Sequence, residues 1–130
     1  MPIPAVLVDT SIWIRAFAAD PAVTPQLVRL LRASMAHTHP WSQGEMLLGS
    51  GVPEEYVEPL GVAPWVSIID DATMLRFVHE HRLQRSGIGW VDLQLLAAAH
   101  QRGIALWTAD TALKRATRRV KLPALHLGRW

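Results

Sequence analysis

Short apolar runs of strand length alternate with helix-forming segments along the chain, and this alternation limits the fold more than any other feature. The runs lie at residues 5–8, 36–39, 66–69, 104–107 and 122–127, and the second of them is more polar than the others. Helix signals stand between them, such as Pro25 after a capping Thr24, and Gly103 after a long amphipathic segment. Strands that alternate with helices pair in parallel and are covered by helices on both faces. The sequence therefore predicts an α/β fold with three α/β/α layers and a parallel sheet of four or five strands.

Composition narrows the class of protein further. The chain has 130 residues, of which 50% are hydrophobic and none is cysteine, so we expect a single domain over residues 1–130 rather than a disordered tail. The absence of cysteine excludes a disulfide scaffold, a Cys-ligated zinc site and a thiol nucleophile. No apolar run approaches the roughly 18 residues of a membrane-spanning helix. The first residues lack the basic segment of a signal peptide, which predicts a cytoplasmic protein with no membrane partner.

Four of the 11 acidic residues stand near strand ends or helix starts. Asp9 follows the first strand directly, and Asp110 lies three residues past the fourth strand. Glu45 and Asp92 fall on apolar helical stripes, where a carboxylate is unfavourable unless it is paired, hydrogen-bonded or bound to metal. No basic residue lies within two positions of any of the four. A hard divalent cation, Mg²⁺ or Mn²⁺, would relieve their repulsion and support phosphodiester hydrolysis at this edge of the sheet.

Each of these acids also has a simpler structural interpretation. Asp9 and Asp110 could be N-caps of the helices that follow them. Glu45 stands three residues after Ser42, the spacing of a capping box. Asp92 could favour the positive end of its helix. The sequence leaves both interpretations open.

Four segments resemble the motifs of one family, the PIN-domain ribonucleases, and within it the VapC toxins of bacterial toxin–antitoxin pairs. VLVDTSIWI resembles the first strand and first acid, and SQGEMLLG resembles the helical second acid. GIGWVDLQLLAAAHQRG resembles the third-acid segment, and TAD at residues 108–110 resembles the fourth. The order and spacing agree across essentially the whole chain, which adds a PIN-like fold to the predicted α/β class.

The resemblance implies roles for particular residues and partners. Asp9 and Asp92 match the two principal metal-binding acids, whereas Glu45 and Asp110 match acids that hold a second metal or orient water. Ser11 and Thr108 match hydroxyl positions that hydrogen-bond the cluster. The implied protein is a Mg²⁺- or Mn²⁺-dependent endoribonuclease that a VapB-type antitoxin inhibits. It would be a homodimer able to enter a larger toxin–antitoxin assembly. A PIN-domain nuclease for RNA processing, without an antitoxin, is the alternative.

Basic and aromatic residues near the acids are candidates for RNA binding. Arg15, Arg82 and Arg85 could contact phosphates at the rim of the cleft, and Trp13 and Trp90 could stack on unpaired bases. The competing interpretations are ordinary surface charge for the arginines, and core filling or partner contact for the tryptophans. The basic run from Lys114 to Lys121 is either a phosphate-binding surface or a solvated helix face. Trp13, together with Phe17 and the stripe over 27–35, could also form a groove for the antitoxin.

Other chemistries find little support in the sequence. His79-Glu80-His81 lacks the H-E-x-x-H spacing of a zinc hydrolase, and no G-x-S-x-G elbow or phosphate-binding GxxxxGK loop is present. A Mg²⁺-binding receiver-type module, which is not an enzyme, would need adjacent acids after the first strand and a lysine after the last. Here Thr10 follows Asp9, and the final strand lacks that lysine.

Overall fold

A three-stranded parallel sheet lies at the centre of the computed structural model, which describes residues 2–128. The strands are β1 (Val6–Val8), β2 (Ala36–His37) and β3 (Ala105–Trp107), in the order β2-β1-β3. Leu7 pairs with His37 on one side and with Leu106 on the other. Because β1 is the middle strand, the residue that follows it, Asp9, emerges at the centre of the carboxyl edge.

Seven helices surround the sheet within the described residues. They are α1 (Thr10–Phe17), α2 (Thr24–Arg32), α3 (Pro40–Leu48), α4 (Glu54–Val62), α5 (Asp71–Glu80), α6 (Trp90–Arg102) and α7 (Thr111–Arg119). Local chemistry sets several of their ends. The side chain of Asp70 accepts the Thr73 amide at the start of α5, and Gly103 ends α6 at φ 68°, a left-handed conformation that favours glycine.

The sheet separates two hydrophobic clusters, one on each face. Leu7 and Leu106 pack with residues of α5, α6 and α7. Val6, Val8 and Trp107 pack with residues of α1, α2, α3 and α4. Alternate side chains of a strand point to opposite faces, so this division produces the three α/β/α layers. The predicted α/β class with a parallel sheet is confirmed.

The sheet has fewer strands in residues 2–128 than the four or five expected. Trp65, just before the run at 66–69, forms an isolated bridge with Thr38, and the Val66 amide donates to the Thr38 carbonyl at 2.9 Å. Farther along, a side chain replaces the partner strand. The Ile69 amide donates to Gln94 Oε1 at 2.6 Å, and Gln94 Nε2 donates to the Ile69 carbonyl at 3.0 Å. The side-chain amide of Gln94 thus satisfies the backbone donor and acceptor of Ile69 without a partner strand, so the run stays irregular.

The run at 122–127 also forms no strand within the described range. Pro123 has no amide hydrogen to donate to a neighbouring strand. Leu125 and Leu127 instead pack against the cluster on the α1–α4 side of the sheet.

None of the described helices is long and apolar enough to cross a membrane.

Candidate functional site

Asp9 is a buried carboxylate held by two hydroxyl groups. It is 5% exposed, and its amide donates to the carbonyl of Trp107 at 2.9 Å. Its Oδ2 accepts hydrogen bonds from Ser11 Oγ at 2.6 Å and from Thr108 Oγ1 at 2.7 Å. Asp9 precedes α1, yet its side chain makes no capping hydrogen bond. The side-chain capping interpretation of Asp9 is therefore wrong, because the two hydroxyls engage the carboxylate instead.

Backbone amides fix the direction of both hydroxyls. The Ala109 amide donates to Ser11 Oγ at 3.0 Å, and the Asp110 amide donates to Thr108 Oγ1 at 3.0 Å. Each hydroxyl oxygen thus accepts from the backbone and directs its own hydrogen toward Asp9. The network ties the start of α1 to the segment after β3 and orients the Asp9 carboxylate.

Asp110 caps the last helix, as one interpretation of the sequence held. Its Oδ2 accepts the Leu113 amide of α7 at 2.9 Å. Capping uses one carboxylate oxygen, and the residue remains exposed. A second role at the edge of the sheet is therefore compatible with the cap.

Glu45 is not part of a capping box with Ser42. Helix α3 begins at Pro40, and His39 caps it by accepting the Trp41 amide on Nδ1 at 3.0 Å. Ser42 lies inside the helix and is fully buried. Glu45 is exposed on α3, where Thr10 Oγ1 lies 3.5 Å from its Oε1. Glu45 therefore faces the start of α1, next to Asp9.

Asp92 lies in the first turn of α6 and feels the charge of the other three acids. Burial raises the pKa of Asp92, and the charges of Asp9, Asp110 and Glu45 raise it further. A hydrogen bond with the Gly89 backbone opposes this rise. The four acids predicted from the sequence thus share one electrostatic environment at the carboxyl edge of the sheet, and we call this group the acidic edge.

The donor set of the acidic edge suits a hard divalent cation. Its ligands are carboxylate oxygens, which Mg²⁺ and Mn²⁺ prefer, and its negative charges repel one another. Over residues 2–128, however, no three His, Asp or Glu side chains are arranged closely enough to hold one ion. The chemistry of the residues therefore fits a hard cation, although their side chains are not close enough together in the described residues to hold one.

The model of one protein family matches most of the chain. The PIN domain model aligns with residues 6–119, a range that includes all four acids. The chain belongs to the PIN-domain family. PIN domains have a nuclease fold and generally act as metal-dependent ribonucleases. A search of curated proteins found no match.

The residues proposed to bind RNA differ in their exposure to solvent. The prediction that Trp13 stacks on RNA bases is wrong, because its side chain is fully buried. Its Nε1 donates to the Val8 carbonyl at 3.2 Å. Trp90 is 43% exposed and lies two residues before Asp92 in this PIN domain. Arg15 lies on the exposed face of α1, whereas Arg82 and Arg85 are exposed in the loop between α5 and α6.

Sequence reasoning missed Gln94 as a residue that supports the acidic edge. Its fully buried amide holds the Ile69 backbone and lies on α6 two residues after Asp92. It also neighbours His39, where burial lowers the pKa of the imidazole and the nearby Gln94 side chain opposes that shift. The signal in the sequence was a single polar residue inside the otherwise apolar segment LQLLAAA.

Proposed function

We propose that this PIN domain is a Mg²⁺- or Mn²⁺-dependent endoribonuclease and the toxin of a VapC-type toxin–antitoxin pair. The observation that carries the nuclease proposal is the acidic edge. A buried Asp9 is oriented by two hydroxyls, and burial together with the charges of Asp9, Asp110 and Glu45 raises the pKa of Asp92. Such a cluster at the edge where parallel sheets place their sites suits catalysis by a bound cation.

We assign the roles within the acidic edge that the resemblance to PIN-domain ribonucleases implies, and burial and hydrogen bonding support them. Asp9 and Asp92 are the proposed principal metal ligands, and Ser11 and Thr108 hold Asp9 in place. Glu45 and Asp110 are exposed, and we assign to them a second metal or the attacking water. A divalent metal bound by these acids would lower the pKa of a water and neutralise charge on the phosphodiester.

The proposed substrate is single-stranded or loop RNA, in particular an RNA used in translation. A-form duplexes hide their bases, whereas unpaired bases can stack on an aromatic side chain. Trp90, exposed beside Asp92, supports this choice. Cleavage of translation-related RNA would arrest growth, which is the action expected of a toxin in the cytoplasm.

The proposed inhibitor is a VapB-type antitoxin. An apolar groove of about 420 Å³ lies among α1, α2 and α4, with Phe17, Leu31 and Tyr56 in its wall and with Arg32 and Glu55 also lining it. An amphipathic helix of the antitoxin would fit such a groove. Trp13 does not line it but packs behind Phe17, with ring centroids 6.5 Å apart. We further propose a homodimer that joins a larger toxin–antitoxin assembly.

Cleavage of labelled RNA by the purified chain tests the nuclease proposal. Wild type should cut with Mg²⁺ or Mn²⁺ and should stop when EDTA removes the metal. Asp9→Asn keeps the size of the side chain but removes an anionic ligand, so cleavage should be lost. Asp71→Asn, an exposed residue in the first turn of α5, is the matched control and should cut normally. Near-normal cleavage by Asp9→Asn would show that the site assignment is wrong.

Expression in cells separates the toxin from an RNA-processing nuclease without an antitoxin. A toxin should arrest growth soon after induction, and co-expression of a short open reading frame adjacent to its gene should restore growth. The Asp9→Asn variant should not arrest growth. An active nuclease that leaves growth unchanged would favour the RNA-processing alternative.

A further inference from the structure

A second charged feature, of opposite sign, lies beside the acidic edge. It is a groove of about 380 Å³ between the loop that precedes α6 and one face of α7. We call it the basic groove, and it is lined by Arg85, Ser86, Ala112, Arg115, Ala116 and Arg119. Arg115 and Arg119 stand one turn apart and share a face of α7, and the small alanines beside them leave room for a ligand.

The two elements that form the basic groove also lead to acids of the acidic edge. Ala112 comes two residues after Asp110, which caps α7. The opposite wall is the loop that ends at Gly89, three residues before Asp92. The two walls meet closely, because a Cβ on Gly87 would lie 3.6 Å from the Ala112 Cβ. The groove therefore lies between the start of α7, which Asp110 caps, and the loop that leads to Asp92.

The loop that forms one wall is held in an unfavourable backbone conformation. Arg82 and Arg85 have φ values of 54° and 61°, in the left-handed region that residues other than glycine rarely adopt. Arg119 Nη1 donates to the Arg82 carbonyl at 3.0 Å and thereby ties this loop to α7. Other residues of the described chain share this conformation, namely Ala19, Ser34 and Lys121. The contact with Arg119, and not the backbone angle, therefore distinguishes the loop. The contact makes the groove a preformed feature of the chain.

The arginines of the groove have no acidic partner in the described part of the chain. No carboxylate lines the groove, and neither the Arg85 nor the Arg115 side chain forms a hydrogen bond or an ion pair within the described residues. A guanidinium binds phosphate through two parallel hydrogen bonds. A cluster of uncompensated arginines in a concave site is therefore suited to a phosphate group.

We propose that the basic groove binds an RNA phosphodiester next to the one that is cut, with Arg85 and Arg115 as its ligands. This inference rests on the proposed function, because it assigns part of the same substrate. Four carboxylates repel the phosphates of RNA, so a cleavage site of this kind needs neighbouring positive charge to hold the strand. Arg115 lies five residues after Asp110, a rise of about 7.5 Å along α7, within reach of the same strand.

Binding of a fluorescent single-stranded RNA in metal-free buffer tests the groove without requiring cleavage. Arg85→Gln and Arg115→Gln should each weaken binding about tenfold, the effect of a lost hydrogen bond between charged groups. Each should also lower the slope of log affinity against log salt by about 0.7, the value for one phosphate contact on a single strand. Arg115→Lys should keep most of that slope and lose part of the affinity, because it keeps the charge but not the paired donors.

Arg102→Gln is the matched control. It removes the same charge from the last residue of α6, ten residues and about 15 Å along the helix from Asp92. Its RNA affinity should change less than twofold. If Arg85→Gln and Arg115→Gln bind RNA as tightly as Arg102→Gln, the groove does not take RNA. The same would follow if these two variants bind RNA normally but lose binding of the antitoxin, since the groove would then be a protein site.

A chemically altered RNA locates the contact. An uncharged methylphosphonate placed next to the cleaved bond should slow cleavage by wild type about tenfold, and should not slow Arg115→Gln further. Equal slowing of both proteins would overturn the assignment. If wild type binds RNA through these arginines but does not cut it, the proposed nuclease activity is contradicted, whereas the proposed RNA binding by the basic groove is supported. Wild type that binds no RNA would contradict both.

Discussion

The acidic edge and the basic groove lie side by side, yet they are built in different ways. The carboxylates of the edge come from separate elements of the fold: Asp9 follows β1, while Glu45, Asp92 and Asp110 belong to α3, α6 and the start of α7. The parallel sheet brings these elements to one end. The arginines of the groove come from one loop and one helix, and their meeting depends on how that loop packs against α7. Topology thus makes the edge, and local packing makes the groove.

In both regions, charged side chains lack partners of opposite charge within the part of the chain that the structure describes. Burial raises the pKa of Asp92, and the like charges of the other three acids raise it further. Arg85 and Arg115 lack an acidic partner among residues 2–128. The opposite charges lie close in the fold but do not cancel through ion pairs. We infer that each is kept for a ligand, a cation at the edge and a phosphate in the groove.

The largest expected effect is that of Asp92→Asn, which tests whether the acidic edge binds metal independently of RNA binding by the basic groove. Asp92→Asn should lower RNA cleavage at least about 100-fold, a loss expected when a metal ligand itself is removed, since even its outer supports contribute 10–100-fold. It should also weaken Mn²⁺ binding, measured by electron paramagnetic resonance, and leave metal-free RNA binding intact. Arg115→Gln should leave Mn²⁺ binding intact and weaken metal-free RNA binding. If one variant impaired both metal and RNA binding, the two regions would not be separate sites.

The hydroxyls that hold Asp9 should give the next largest effect. Thr108→Val keeps the shape of the side chain but removes a hydrogen bond to Asp9, so cleavage should fall about 10–100-fold. Thr108→Ser keeps the hydroxyl and is the control, with near-normal cleavage expected. Metal titrations of the cleavage rate should show that Thr108→Val needs more Mg²⁺. A Thr108→Val enzyme with an unchanged rate and Mg²⁺ requirement would contradict the orienting role.

The contrast between the two regions explains what the sequence could predict. The four acids were found because strand ends and helix starts can be recognised from local patterns, and the topology then brings them together. The groove was not found as a unit. Arg85 and the run that includes Arg115 each stood out, but nothing local shows that the loop and α7 pack together.

Three other differences arise from interactions between distant residues. Ser42 and Glu45 have the spacing of a capping box, but His39 starts the helix earlier and takes the cap. The run at 66–69 has the composition of a strand, but the amide of Gln94 binds its backbone. Trp13 lies near Asp9 in sequence but faces the core, because successive residues of α1 point in different directions.

Gln94 offers a test of the scaffold beneath the acidic edge. Gln94→Met keeps an apolar stem of similar length but leaves the buried amide and carbonyl of Ile69 without partners. The free energy of unfolding should fall by about 2 kcal/mol or more, measured by urea denaturation. Gln101→Met, at the exposed end of α6, is the control and should change it by less than about 0.5 kcal/mol. Equal stability of the two variants would show that the Gln94 contacts contribute little.

The smallest expected effect concerns His39, which caps the helix that carries Glu45. Burial lowers the pKa of His39 from its ordinary value of 6.5, so the unfolded chain takes up a proton at higher pH than the folded protein. The free energy of unfolding contributed by this residue is therefore fully present above pH 6.5 and is lost as the pH falls below that value. His39→Asn keeps a capping acceptor but cannot take up this proton, so part of the acid sensitivity should disappear from urea denaturation curves recorded across this pH range. His126→Asn, at an exposed position, should retain the wild-type pH dependence. If His39→Asn retained it as well, the acid sensitivity would come from residues outside the scaffold of the acidic edge.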